Sequence, residues 1–273
     1  MFQIKTNPSM TRGVIGMAEL IYHATVRDIR KSHRNALMGL FLNIMQTVVF
    51  VLAFYIMFEV LGMRGSALRG DFLLYIMSGI FLFLTHTKAM SAVINSEGPA
   101  SPMMQHAPMN TIIAICAGAL SSLYLQLLSL FLVLCVYHIA VVPITIDNPA
   151  GAMGMLLLSW FSGVAIGVVF LAIKPWAPDF VDVASGVYAR ANMIASGKMF
   201  VANTLPASMI AFFDWNPLFH TIDQARGFIF LHYSPHFSSV SYPLYLSIGL
   251  LMLGLMGEFY TRKSASLSWD AGR

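Results

Sequence analysis

A chain of 273 residues in which 58% of side chains are hydrophobic and 10% charged lacks the charge a water-facing surface needs, since soluble domains carry roughly 25% charged residues. Apolar surface on this scale has to face lipid. A formal charge of +4 without basic clusters interleaved with aromatic platforms excludes a nucleic-acid binder. The fold class that follows is an all-α integral membrane protein: the apolar runs are near the ~20 residues a spanning helix needs, and too long for barrel strands.

Along the chain, segment 9–35 comes first. Val14, Met17, Ala18, Ile21 and Thr25 recur at helical spacing and lead into the basic cluster Arg27, Arg30, Lys31 and Arg34. This predicts an amphipathic helix lying in the cytoplasmic interface with its cations on anionic headgroups; a flank that merely retains the N-terminus on that side is a compatible reading. A basic stretch followed by a short apolar run and a cleavage site is missing, so the first span is expected to direct insertion itself. Six spans are expected over 36–60, 72–94, 111–137, 152–173, 187–205 and 243–260. Turn chemistry marks the connections at 61–71, at the Pro-rich 95–110, and around Val142-Pro143 and Asn148-Pro149-Ala150-Gly151.

Most of the 16 Lys and Arg then fall on one side: Lys5, Arg12, the cluster at 27–34, Lys88 at a span end, Lys174, Arg190, Arg262, Lys263 and Arg273. Arg64, Arg69 and Arg226 fall on the other. Basic residues are retained in the cytoplasm, so both termini are expected there.

The cytoplasmic connection at 95–110 is short of charge, and Met103, Met104 and His106 within it offer an adaptable contact surface or an ordinary turn at the headgroups. Lys198 is the sharpest anomaly, because Lys at the centre of a span costs about 2.5 to 3.5 kcal/mol unless it meets water or a partner. With Arg190, Asn192, Ser196 and Asn203 it makes the fifth span the most polar and the best candidate to line a hydrated path; packing with snorkelling is the bland alternative. In 207–242, Asn216 is placed to cap a helix with Pro217 in its first turn and Leu218, Ile222, Ala225 and Ile229 on one stripe. Asp223 and Arg226, three apart, are placed to pair. This helix is too short to span, which suits a re-entrant or interfacial helix at a channel mouth, or a capped surface helix.

Catalytic signatures are missing. Gly197-Lys198 is followed by Met199 and has no upstream phosphate-cradling glycine, so ATP is not expected on this chain. The eight His lack ligand spacing, and no metal is expected. Ser196 with His86 or His220 as base has no elbow glycine to expose it. Ser196 with Gly197, and Gly163 with Gly167, read instead as small residues that let helices approach. Cys116 and Cys135 lie in one apolar run and receive no role. The chain is expected to be non-catalytic.

Three local patterns carry a resemblance over nearly the whole chain: Arg27-Asp28-Ile29-Arg30 before the first span, Ser196-Gly197 with Asn203-Thr204-Leu205-Pro206, and Asn216-Pro217-Leu218-Phe219-His220 leading to Asp223 and Arg226. In this order they resemble the membrane subunits of ABC exporters for bacterial surface polysaccharides, most closely the capsular polysaccharide export permeases. The resemblance implies six spans, an N-terminal interfacial helix, a cytoplasmic coupling segment after the second span and short external gate helices before the last.

By position, the coupling segment would hold Glu97, Met103, Met104, Gln105 and His106. The gate helices would hold Trp215, Asn216, Pro217, His220, Asp223 and Arg226. Three prolines and no basic residue set this coupling segment apart from the family pattern. Tyr188 and Phe200 would offer rings to sugars, and Lys198 and Arg190 charge to an acidic polymer. The implied assembly is a homodimer in the bacterial inner membrane with two nucleotide-binding ATPase subunits that hold ATP and Mg. Periplasmic and outer-membrane export proteins would complete it. O-antigen, teichoic acid precursors or a small hydrophobic molecule are alternative cargoes. An ion-coupled secondary transporter, expected to show paired carboxylates or inverted repeats, and a structural membrane subunit are readings of another class.

Overall fold

A computed structural model describes residues 10–32, 36–60, 62, 71–96 and 110–270, and all regular structure among them is helical. The elements are α1 (Met10–Ser32), α2 (Ala36–Val60), α3 (Phe72–Ile94), α4 (Thr111–Ala140), α5 (Pro149–Ile173), α6 (Pro178–Ala195), a 3-10 turn (Ala202–Thr204), α7 (Ala207–Ile210), α8 (Pro217–Ile229) and α9 (Ser241–Asp270). Five stretches, Met38–Val60, Phe72–Ile94, Thr111–Ala140, Pro149–Ile173 and Ser241–Lys263, are long and apolar enough to cross a bilayer. At 1.5 Å per residue the shortest of these reaches roughly 35 Å, against a hydrocarbon core of about 30 Å. The protein is a multi-pass membrane protein.

The starts of three of these helices follow from their caps. The amides of Leu73 and Ile112 donate to Asp71 and Asn110 at 3.0 and 3.2 Å. Asn148 takes the Gly151 amide at 2.9 Å ahead of Pro149 in the first turn of α5. Each side-chain oxygen satisfies a donor that the helix leaves open.

Helix α3 is the hub, buried without interruption from Leu74 to His86. It meets α5 through the small residues expected to permit it: a Cβ on Gly163 would lie 2.3 Å from the His86 carbonyl, and one on Gly167 2.9 Å from that of Met90. In the same seam Ser159 Oγ donates to the Leu82 carbonyl at 2.9 Å. Helix α9 packs on α5 in turn, with Gly254 against Val168 and Thr261 Oγ1 donating to the Ala172 carbonyl. These pairings make α3, α5 and α9 run in one direction, so residues 174–240 carry the chain back to the end at which α5 began.

Three expectations change. The span expected over 187–205 is not one helix: α6 starts at Pro178, stops at Ala195, and gives way to irregular backbone before the turn at Ala202–Thr204. Lys88 is not at a span end but inside α3, donating to Asn43 Oδ1 of α2; Asn43 Nδ2 continues to Ser129 Oγ of α4 at 2.8 Å. Helix α1 leaves Met17 and Ala18 exposed. Ala24 and Ile21 instead pack on Ile113 and Ala117 of α4, and Asp28 accepts from Ser121 Oγ. Helix α8 is not a surface helix either, because both its stripe residues and its polar His220, Asp223 and Arg226 are buried.

Candidate functional site

The interruption after α6 is where the polar residues of the expected fifth span collect. Gly197 sits at φ +76°, a left-handed conformation that glycine adopts without penalty. A Cβ there would also stand 2.8 Å from the Phe219 ring. Leaving the helix strips the following carbonyls of intrahelical donors, and buried carbonyls need partners.

Arg226 supplies them from α8: Nη1 donates to the carbonyls of Gly197 (2.9 Å) and Phe200 (2.7 Å), and Nη2 to that of Lys198 (2.8 Å). The guanidinium carbon lies 4.2 Å from the centre of the Tyr75 ring on α3, a contact that favours a desolvated cation. Arg226 is 1% exposed. It therefore does not pair with Asp223, which accepts from Ser238 Oγ at 2.6 Å and from the Tyr233 hydroxyl. Burial and the Asp223 carboxylate push the Tyr233 phenol well above its usual value, which keeps it a donor.

Lys198 points the other way. Its Nζ lies 3.7, 4.6 and 5.7 Å from the ring centres of Phe83, Phe54 and Phe50 and has no hydrogen-bond partner among the described residues. The ring quadrupoles of α2 and α3 stand in for water around a buried ammonium. Its backbone passes Gly79 of α3, where a Cβ would come within 2.7 Å of the Lys198 Cβ. Ser196 Oγ is buried without a partner among the described residues, and no described contact joins it to His86 or His220. The arrangement holds cations and a shaped backbone rather than a nucleophile and base.

The other predicted residues separate into groups. Asn216 caps α8 through the Leu218 amide, as expected, and its Nδ2 donates to Asn192 Oδ1 (2.8 Å) and to the Ala195 carbonyl (3.0 Å). One side chain thus begins α8 and closes α6. Asn216→Ala is expected to cost about 1 kcal/mol from the cap alone and more from the lost Asn192 contact, read as a lowered melting temperature in detergent.

Tyr188 is tied to α3: Ser159 O can only accept, so His86 Nδ1 donates to it (3.2 Å) and Nε2 accepts from the Tyr188 hydroxyl (2.9 Å). Phe200 packs on Phe213, ring centres 4.9 Å apart. Asn203 donates to the Ser234 carbonyl at 2.8 Å, and His220 is fixed between the Asp214 carbonyl and the Ser239 amide. Arg190 and Trp215 are exposed. Glu97, Met103, Met104, Gln105 and His106 lie outside the described residues.

Tyr75, Gly79, Phe83 and Phe54 were not legible as site residues. The only trace is a glycine beside Ser78 in the apolar first half of that span and the i, i+4 pair Phe50 and Phe54. Glu258 of α9, 3% exposed with Oε1 unpartnered among the described residues, also carries no sequence signal beyond being a carboxylate in a span. Among the described residues no three His, Cys, Asp or Glu side chains converge as a metal site.

Comparison with protein families matches residues 19–230, more than half of the chain, to the ABC-2 type transporter family. A comparison with curated proteins gave no match. The matched region holds α2 to α5, the interrupted segment and all of α8 up to the Arg226 clamp, and on that match this multi-pass chain belongs to the ABC-2 type transporter family, as a membrane permease subunit.

Proposed function

We propose that this subunit forms the channel of an ATP-driven exporter that moves a surface polysaccharide, first of all a lipid-linked capsular polymer, across the bacterial inner membrane. ATP and Mg are held by two copies of a separate nucleotide-binding subunit, and two copies of this chain face each other across the path, with both termini in the cytoplasm. Periplasmic and outer-membrane proteins receive the polymer.

The observation that carries the reading is the interruption at 196–201 with Lys198 and Arg226 around it. Irregular backbone at membrane depth persists only where protein or a water-filled path satisfies it, and a buried cation in such a place marks a route for charged cargo. Movement fits the same geometry. Helix α6 is fastened to its neighbours by discrete links, His86 to Tyr188 and Asn192 to Asn216, with Val181 seated against Met90 and Ile94. Links of this kind release and re-form as a rigid body shifts between two packings. An ion-coupled carrier would need paired carboxylates in its spans; Glu258 is the one carboxylate buried in the described spans.

Lys198→Met tests the path. It keeps the volume inside the phenylalanine rings and removes the charge, so surface polymer is expected to fall at least tenfold, one order being about 1.4 kcal/mol of transport barrier, while subunit level in the membrane is unchanged. Undiminished polymer would remove Lys198 from the path. Deleting the chain tests the cargo: glycan accumulates inside cells if the reading holds, and normal surface glycan overturns it.

A further inference from the structure

Helix α1 leaves a groove of about 630 Å³ between itself, the start of α2 and the middle of α4. Its wall is apolar, with Leu40, Leu123 and Leu127 along it, and Arg30, Tyr22 and Tyr124 also line it. The groove lies beside a helix that belongs at the membrane surface, and its polar groups are those that mark the headgroup level: Tyr rings anchor there, and cations meet phosphate.

Charge on α1 is unevenly committed. Asp28 is occupied by Ser121, no carboxylate is among the described residues that line the groove, and Arg30 is exposed and makes no ion pair among the described residues. An apolar slot with a guanidinium and two phenols on its wall fits a molecule with an anionic head and hydrocarbon tails.

We infer that this groove binds an anionic phospholipid, with its phosphate on Arg30 and its acyl chains among the leucines of α2 and α4. The lipid completes the seat of α1, which otherwise rests on Ala24, Ile21 and Asp28. This assignment is independent of the exporter's cargo.

The test uses the full chain purified in mild detergent, incubated with phosphatidylglycerol and phosphatidylcholine in competition, with retained lipid counted by native mass spectrometry. Wild type is expected to prefer phosphatidylglycerol about fivefold, the value of one cation near an anionic headgroup. Arg30→Glu abolishes that preference and Arg30→Lys preserves most of it. Leu127→Trp, which fills the slot and leaves the charge, lowers retention of both lipids. Arg262→Glu, an equal charge change on α9, keeps the wild-type ratio. Equal retention of the two lipids by wild type, an Arg30→Glu protein with the wild-type ratio, or an equal loss in Arg262→Glu would each overturn the site. Displacement by tail-less glycerophosphate as efficient as by phosphatidylglycerol would overturn it too. Helicity by circular dichroism confirms that each variant counted is folded.

Discussion

Arg226→Ala is expected to yield no stable subunit. Truncation leaves the carbonyls of Gly197, Lys198 and Phe200 without the donors that Arg226 provides. An orphaned buried acceptor costs about 1 to 3 kcal/mol, so three approach the whole 5 to 15 kcal/mol that holds a typical fold together. Arg226→Lys keeps the charge but replaces a planar fork with a single point donor, and is expected to recover only part of the loss. The check is the fraction of protein that elutes as a single folded species after extraction, together with its melting temperature. A truncated variant melting within a few degrees of wild type would show that the interruption at 196–201 does not depend on the clamp.

Gly163→Val is the second large effect. The new Cβ would meet the His86 carbonyl at 2.3 Å, backbone rather than a pliant side chain, so α3 and α5 have to separate. Separation breaks the Ser159 bond to Leu82 and the His86 bond to Ser159, and overpacking of this kind costs about 3 kcal/mol or more. Gly154 provides the contrast on the same helix: nothing among the described residues lies within 4 Å of its Cβ position, and Gly154→Ala is expected to be neutral or to gain up to about 1 kcal/mol from helix propensity. Thermal unfolding of the two variants in one detergent separates crowding from a general intolerance of substitution in α5.

The apolar runs and caps were legible because they are local. Length and hydropathy placed α2, α3, α4, α5 and α9, and Asn216 with Pro217 marked the start of α8 because a cap acts within three residues. Gly163 and Gly167 were legible as points of close approach because spacing alone puts them on one face. The stop at Ala195 was not, since the donors that stabilise the open backbone come from Arg226, 28 residues beyond the Lys198 carbonyl it holds. The i, i+3 spacing of Asp223 and Arg226 suggested a pair, but such a pair is worth only about 0.2 to 0.5 kcal/mol and each side chain has stronger partners in Tyr233, Ser238 and the interrupted segment. Lys198 was visible as an anomaly, yet the rings that accommodate it come from two other helices.

Residue 198 is gripped at both ends, by α8 through its carbonyl and by the phenylalanines of α2 and α3 through its ammonium. Sliding α2 past α8 would drag the two grips apart, and a single extended side chain has little slack to follow. Relative positions of these helices should therefore come as separate detents, each with its own rotamer at 198, instead of a continuum. A spin-label pair on α2 and α8 would read that as resolved distance peaks.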